Sequence, residues 1–105
     1  MAAGDITVGR RIPVPASGDI NEVIGEMEPG DYCGPIRGYN GDRPAVFMRL
    51  PLPHDSIRHV VSPPHVFTEQ DDGSLEIRES ILTRDPGAGE SWHGYLDAGH
   101  RWREV

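Results

Sequence analysis

The chain contains no lysine; all ten of its basic residues are arginines. Amine chemistry on a lysine side chain is thereby excluded, and only the N-terminal amine remains for a Schiff base. Cysteine is almost as scarce. Cys33 stands alone, so no intramolecular disulfide can form, and a reducing compartment suits such a chain. Long apolar runs are missing too. No stretch approaches the roughly 18 apolar residues of a membrane helix, and the opening MAAGDITVGRR lacks the apolar core of a signal peptide. No membrane partner is expected. Positive charge is outweighed: 10 arginines face 17 aspartates and glutamates, a net charge of −7. Such a chain repels phosphate backbones, so no nucleic-acid partner is expected either. Glycine-rich phosphate loops are absent as well, because GPIRG at 34–38 has neither the lysine nor the strand–loop–helix setting. There is no internal repeat or low-complexity tract.

What is present suggests a small β domain. A chain of 105 residues has room for one domain. It holds 13 glycines and 10 prolines beside 36% hydrophobic residues, a turn-rich composition unlike a helical bundle. Residues 1–5 read as loose. The alternation of Ile6, Val8, Ile12 and Val14 predicts a short edge strand over 6–15, bounded by prolines. SGDINEVIGEME places Ile20, Val23, Ile24 and Met27 on one helical stripe. Asp19 would cap that helix, Glu22 would complete a capping box, and Pro29-Gly30 would end it; a strand over 22–27 is the alternative.

Asn40-Gly41 signals a type I′ hairpin between strands at 32–37 and 45–50. IRHVV at 57–61 is a further strand. The runs on either side of Asp71-Asp72-Gly73 alternate, and Gly73 suits the left-handed position of a three-residue hairpin loop with a bulge. TRDPGAGE at 83–90 reads as a loop, and SWHGYL-DAGH-RWREV as a final hairpin. The expected fold is mainly β: a small antiparallel sheet of roughly five to seven strands, open barrel or two-layer roll, with one short helix.

Three segments follow in a fixed order. They are Pro63-Pro64-His65-Val66-Phe67, then Asp72-Gly73-Ser74-Leu75-Glu76-Ile77-Arg78-Glu79-Ser80-Ile81, then Trp92-His93-Gly94-Tyr95-Leu96 through Gly99 to Trp102. This order resembles a family of small proteins of bacteriophages, prophages and actinobacteria, over roughly residues 30–105. The resemblance brings no activity with it. It implies a phage or prophage setting in a GC-rich bacterium, which the all-arginine basic set also suits. An accessory protein that binds a host or phage protein in the bacterial cytoplasm is then expected; the alternatives are a small head or tail component of the virion and a metal-binding or enzymatic domain using the histidines. Some members carry paired cysteines that suggest zinc; Cys33 is alone here, which puts that site in doubt.

The site candidates centre on the last hairpin. If Trp92 is a core anchor, alternation places His93 and Tyr95 on the opposite face. Gly94 would leave room for a ligand or another backbone. His93, Gly94, Tyr95 and Trp102, with His100 across the turn, form the expected interaction surface; against it stands a purely structural role, with a tryptophan anchor, a glycine bulge and a hydrogen-bonded histidine. Zinc needs three or four converging ligands. Cys33, His65 and His93 are the candidates, with His54, His59 and His100 in reserve, and the spacings match no standard zinc pattern. His54-Asp55-Ser56 only looks like a triad, since triad members are placed by the fold and not by adjacency. No catalytic residue is assigned. Cys33 has no neighbouring positive charge to activate it, and Glu69, Asp71 and Asp72 read as turn formers at a hairpin tip.

Overall fold

The computed structural model describes residues 6–38, 41–52, 55–62, 64–85 and 90–104. Among these, nine strands and one turn of helix follow in the order β1 (Ile6–Val8), β2 (Arg11–Ile12), α1 (Asn21–Ile24), β3 (Tyr32–Gly38), β4 (Gly41–Arg49), β5 (Ile57–Val61), β6 (Val66–Glu69), β7 (Leu75–Asp85), β8 (Glu90–Asp97) and β9 (Arg101–Glu104). They build a five-stranded sheet, β1-β9-β8-β7-β6, and a four-stranded sheet, β2-β3-β4-β5. All pairs are antiparallel except β2 with β3. The mainly β fold with a short helix is thus the one that the composition and turn signals implied, with nine strands among the described residues in place of five to seven, as two sheets and not a closed barrel.

Period-two alternation explains how the sheets stack. In the four-stranded sheet Tyr32, Val46, Met48 and Leu50 meet Leu75, Ile77, Ile81, Trp92, Leu96 and Trp102 of the five-stranded sheet in one core. The intervening Cys33, Ala45 and Phe47 point the other way and form a second core with Ile36, Ile20 and Met27. Val23 and Ile24 pack on that second core, so the stripe of Ile20, Val23, Ile24 and Met27 does cover the sheet. Two polar side-chain ends tie the sheets across the main core. The Leu75 N–H donates to the Tyr32 hydroxyl (3.0 Å), and the Trp102 indole N–H donates to the Gly30 carbonyl (2.6 Å).

Several local expectations change. Residues 6–15 form two strands in different sheets, because β1 pairs with β9 and β2 with β3. The helix is a single turn with Ile20 at its N-cap position and no side-chain cap. Asp19 accepts the Asn21 N–H at 3.0 Å, and Glu22 accepts from Ser17, so no capping box forms. Gly25 ends the turn; four residues alone have too few internal bonds to persist without the packing beneath. The 83–90 loop is shorter than expected, since β7 runs on to Asp85 and pairs it with Glu90 of β8. The hairpin around Asp71-Asp72-Gly73 is as read: Gly73 has φ +85°, its N–H donates to Gln70, and Gln70 pairs with Ser74. β3 and β4 are antiparallel neighbours, while Asn40 lies outside the described residues, as do residues 1–5.

Candidate functional site

The four-stranded sheet is covered on both faces, by the main core and by the helix-bearing segment. The outer face of the five-stranded sheet has no such cover among the described residues. Its residues follow from alternation. On β8, Trp92, Gly94 and Leu96 are buried while His93, Tyr95 and Asp97 lie between them on the outer side. On β9, Trp102 is buried between Arg101 and Arg103, both exposed.

Register then sets the centre of this face. Tyr95 stands directly across from Arg103, whose guanidinium lies 4.5 Å from the ring centroid. Arg78 of β7 approaches the same ring at 5.9 Å. Both distances fall within cation–π range. Asp97 binds both arginines, taking 2.9 Å from Arg103 Nε and 3.2 Å from Arg78 Nη1. Those bonds, chiefly the one from Arg103, hold the Asp97 carboxyl below its ordinary pKa and raise that of the Arg103 guanidinium. Tyr95 is therefore a ring held between two fixed cations. Leu82 (52% exposed) on β7 and Val66 (54%) on β6 are the exposed large apolar residues of these two strands.

Beside the clamp, β7 bulges. Its pairing with β8 jumps from Ile77↔Leu96 to Ile81↔Gly94, so Arg78, Glu79 and Ser80 lie opposite Tyr95 alone. Glu79 takes φ +57°, a region uncommon outside glycine. The bulge brings Ser80 to His93, with Oγ and Nε2 at 2.8 Å. The His65 Nε2 reaches the Ser80 carbonyl at 3.4 Å, while His65 Nδ1 is buried without a partner. Ser80 and two of the expected histidines are thus gathered at one point. Nothing in the sequence marked it, because the left-handed residue is a glutamate.

Other candidates are placed elsewhere. Trp102 is 1% exposed and meets Trp92 edge to face at 5.7 Å, so it belongs to the core and not to the surface. Gly94 offers no room to a ligand either. A Cβ there would stand 2.3 Å from the Arg103 carbonyl and 2.7 Å from the Trp92 ring; the close approach that requires glycine is made by the chain itself. Of the expected surface, His93 and Tyr95 remain. His100 lies apart from them, with Nδ1 2.6 Å from the Tyr32 hydroxyl.

Among the described residues His65 and His93 meet at Ser80, but no third metal candidate joins them. Cys33 is buried in the second core, its thiol pushed up in pKa by burial and 3.8 Å from the Pro13 carbonyl. His59 stacks on Phe47 at 5.3 Å. Among the described residues no three His, Cys, Asp or Glu side chains are grouped as metal ligands; His54 lies outside them. At the hairpin tip Glu69 is held by Arg11, which lowers its pKa, and Asp72 closes the turn by accepting from Ser74. No helix among the described residues is long and apolar enough to cross a membrane.

No family model, no curated protein and no solved structure matches the chain.

Proposed function

We propose that this chain is a protein-interaction module of the phage-accessory kind, binding a host or phage protein through the outer face of its five-stranded sheet. One observation carries the reading. The face left uncovered among the described residues presents Tyr95 between Arg103 and Arg78, both bound to Asp97. Tyrosine and arginine are the side chains that most often dominate binding energy at interfaces, and a ring held in place loses little freedom when a partner covers it. Leu82 and Val66 add apolar surface on the neighbouring strands. The net charge of −7 would steer approach toward a basic partner, whereas the local arginines set its orientation. The setting that goes with this reading is the cytoplasm of a bacterial host.

Capture from host and infected-cell lysates tests it, with the wild type compared to Tyr95→Ala, Leu82→Asp and the distant control Leu52→Asp. A partner retained by the control and lost by the two face variants is the expected result. A partner set unchanged by Tyr95→Ala and Leu82→Asp would rule the face out.

A further inference from the structure

A concave feature lies away from that face, at the seam between the sheets. It is a groove of about 530 Å³, lined by the segment 9–14 together with Gly34, Gly73 and His100. That is a ligand-sized volume. Chain order gives it polarity: Arg10 and Arg11 come first, and Ile12, Pro13 and Val14 (41% exposed) follow.

The cationic end is rich in unused donors. Arg10 donates from Nε and Nη2 to the two oxygens of Asp31 at 3.3 and 2.7 Å. A guanidinium has five N–H bonds, so both Nη1 protons and one on Nη2 are left over. Arg11 spends Nη1 and Nη2 on Glu69 and on the Gly34 and Gly73 carbonyls, which leaves its Nε–H. His100 supplies another donor by a hydrogen-bond argument. The buried Tyr32 oxygen already accepts from Leu75 N–H, and its own proton has one acceptor within reach among the described residues, His100 Nδ1. A buried hydroxyl proton is costly to leave unpaired. Tyr32 therefore donates to Nδ1, which leaves the His100 ring proton on Nε2. Asp31 and Glu69 pair with the two arginines, and Asp72 and Glu28 stand near His100 and Arg10, so the groove would take an anion by its hydrogen-bond donors and not by net charge.

We infer that this groove binds a small carboxylate with an apolar tail, its oxygens taken by Arg10, Arg11 Nε and His100 Nε2 and its tail lying along Ile12–Val14. A carboxylate has lone pairs enough for several of these donors. The apolar stretch separates such a ligand from a bare oxyanion.

Hexanoate is the probe, titrated into the full chain and followed by backbone amide shifts, with acetate, inorganic phosphate and hexanamide in parallel. The largest shifts are expected at Gly9, Gly34, Gly73 and His100, with hexanoate binding tighter than the other three. His100→Asn keeps an acceptor for Tyr32, tolerates the positive φ of that position, and removes the Nε2–H. It should weaken hexanoate about tenfold or more, as loss of a hydrogen bond to a charged group does. Val14→Glu, at an exposed site that bears on no core, should weaken it as well. Shifts centred on Arg101 and Arg103 would overturn the site. So would an affinity left unchanged by both variants, and phosphate or acetate binding as tightly as hexanoate would overturn the apolar tail.

Discussion

Replacing Tyr32 by Phe removes one oxygen from the centre of the molecule, and the cost can be worked through. Tyr32 is fully buried, and its hydroxyl accepts the buried Leu75 N–H while reaching His100. The phenylalanine ring keeps the apolar packing, so the loss is almost wholly polar. Leu75 N–H is left without an acceptor, a penalty of about 1–3 kcal/mol. A small domain has only about 5–15 kcal/mol in total. At roughly 4–8 °C per kcal/mol for a domain of this size, the thermal midpoint should fall by about 4–24 °C. In urea the midpoint should drop with the slope unchanged, because the surface exposed on unfolding is the same. Tyr95→Phe is the control: it keeps the ring and its cation contacts, and should stay within about 0.5 kcal/mol of the wild type. A Tyr32→Phe midpoint within about 2 °C of the wild type would refute the account of how the two sheets are tied.

Three further outcomes follow from the same geometry. Gly94→Ala should destabilise by about 1–3 kcal/mol or more in chemical denaturation, since its methyl collides with the Arg103 carbonyl and the Trp92 ring; a neutral result would mean that Trp92 does not cross that glycine. Cys33 should resist a disulfide-exchange reagent at pH 8 in the folded protein and react on unfolding, because burial both shields the thiol and raises its pKa; fast labelling of native protein would count against its place in the second core. In acid, Asp97 and Glu69 have folded pKa values below their unfolded ones. Their contribution is complete above the unfolded values near 4 and is lost as pH falls through the lower folded values. Melting at stepped pH should therefore show less acid loss for Asp97→Asn than for the wild type, and equal losses would contradict the clamp.

Much of this fold was legible where a local signal coincided with the tertiary result. Gly73 sits in the left-handed region that its hairpin demands, and alternation along Trp92–Asp97 sorts core from surface correctly. The same rule applied to Arg101-Trp102-Arg103 puts Trp102 inside, whereas its place across the turn from His93 and Tyr95 groups it with the surface. Gly94 was misleading for a different reason. Its role depends on which way the Trp92 ring lies and how near the Arg103 backbone comes, and neither is a local property. The stripe Ile20–Met27 fitted a helix, yet one turn suffices to bury Ile20 and Met27, and Gly25 ends it there. TRDPGAGE looked like loop because its residues are weak strand formers. Backbone pairing carried β7 and β8 through part of it regardless. The Ser80–His65–His93 meeting point depends on a bulge whose left-handed residue is a glutamate, so sequence held no mark of it.

The layering explains why the two proposed sites can be tested apart. Burial of the four-stranded sheet on both sides leaves one sheet face open among the described residues, and Tyr95 lies on it. The groove arises because segment 9–14 must cross from β1 in one sheet to β2 in the other, which carries Arg10 and Arg11 over the seam to His100. The side chains that define them do not overlap: Tyr95, Arg78, Arg103 and Asp97 on the face, Arg10, Arg11 and His100 in the groove. Sites without shared partners act close to additively. Tyr95→Ala should thus lose protein capture and keep hexanoate binding, while His100→Asn should do the reverse. If either variant abolished both, one surface would be serving both ligands, and the separation drawn from the layering would fail.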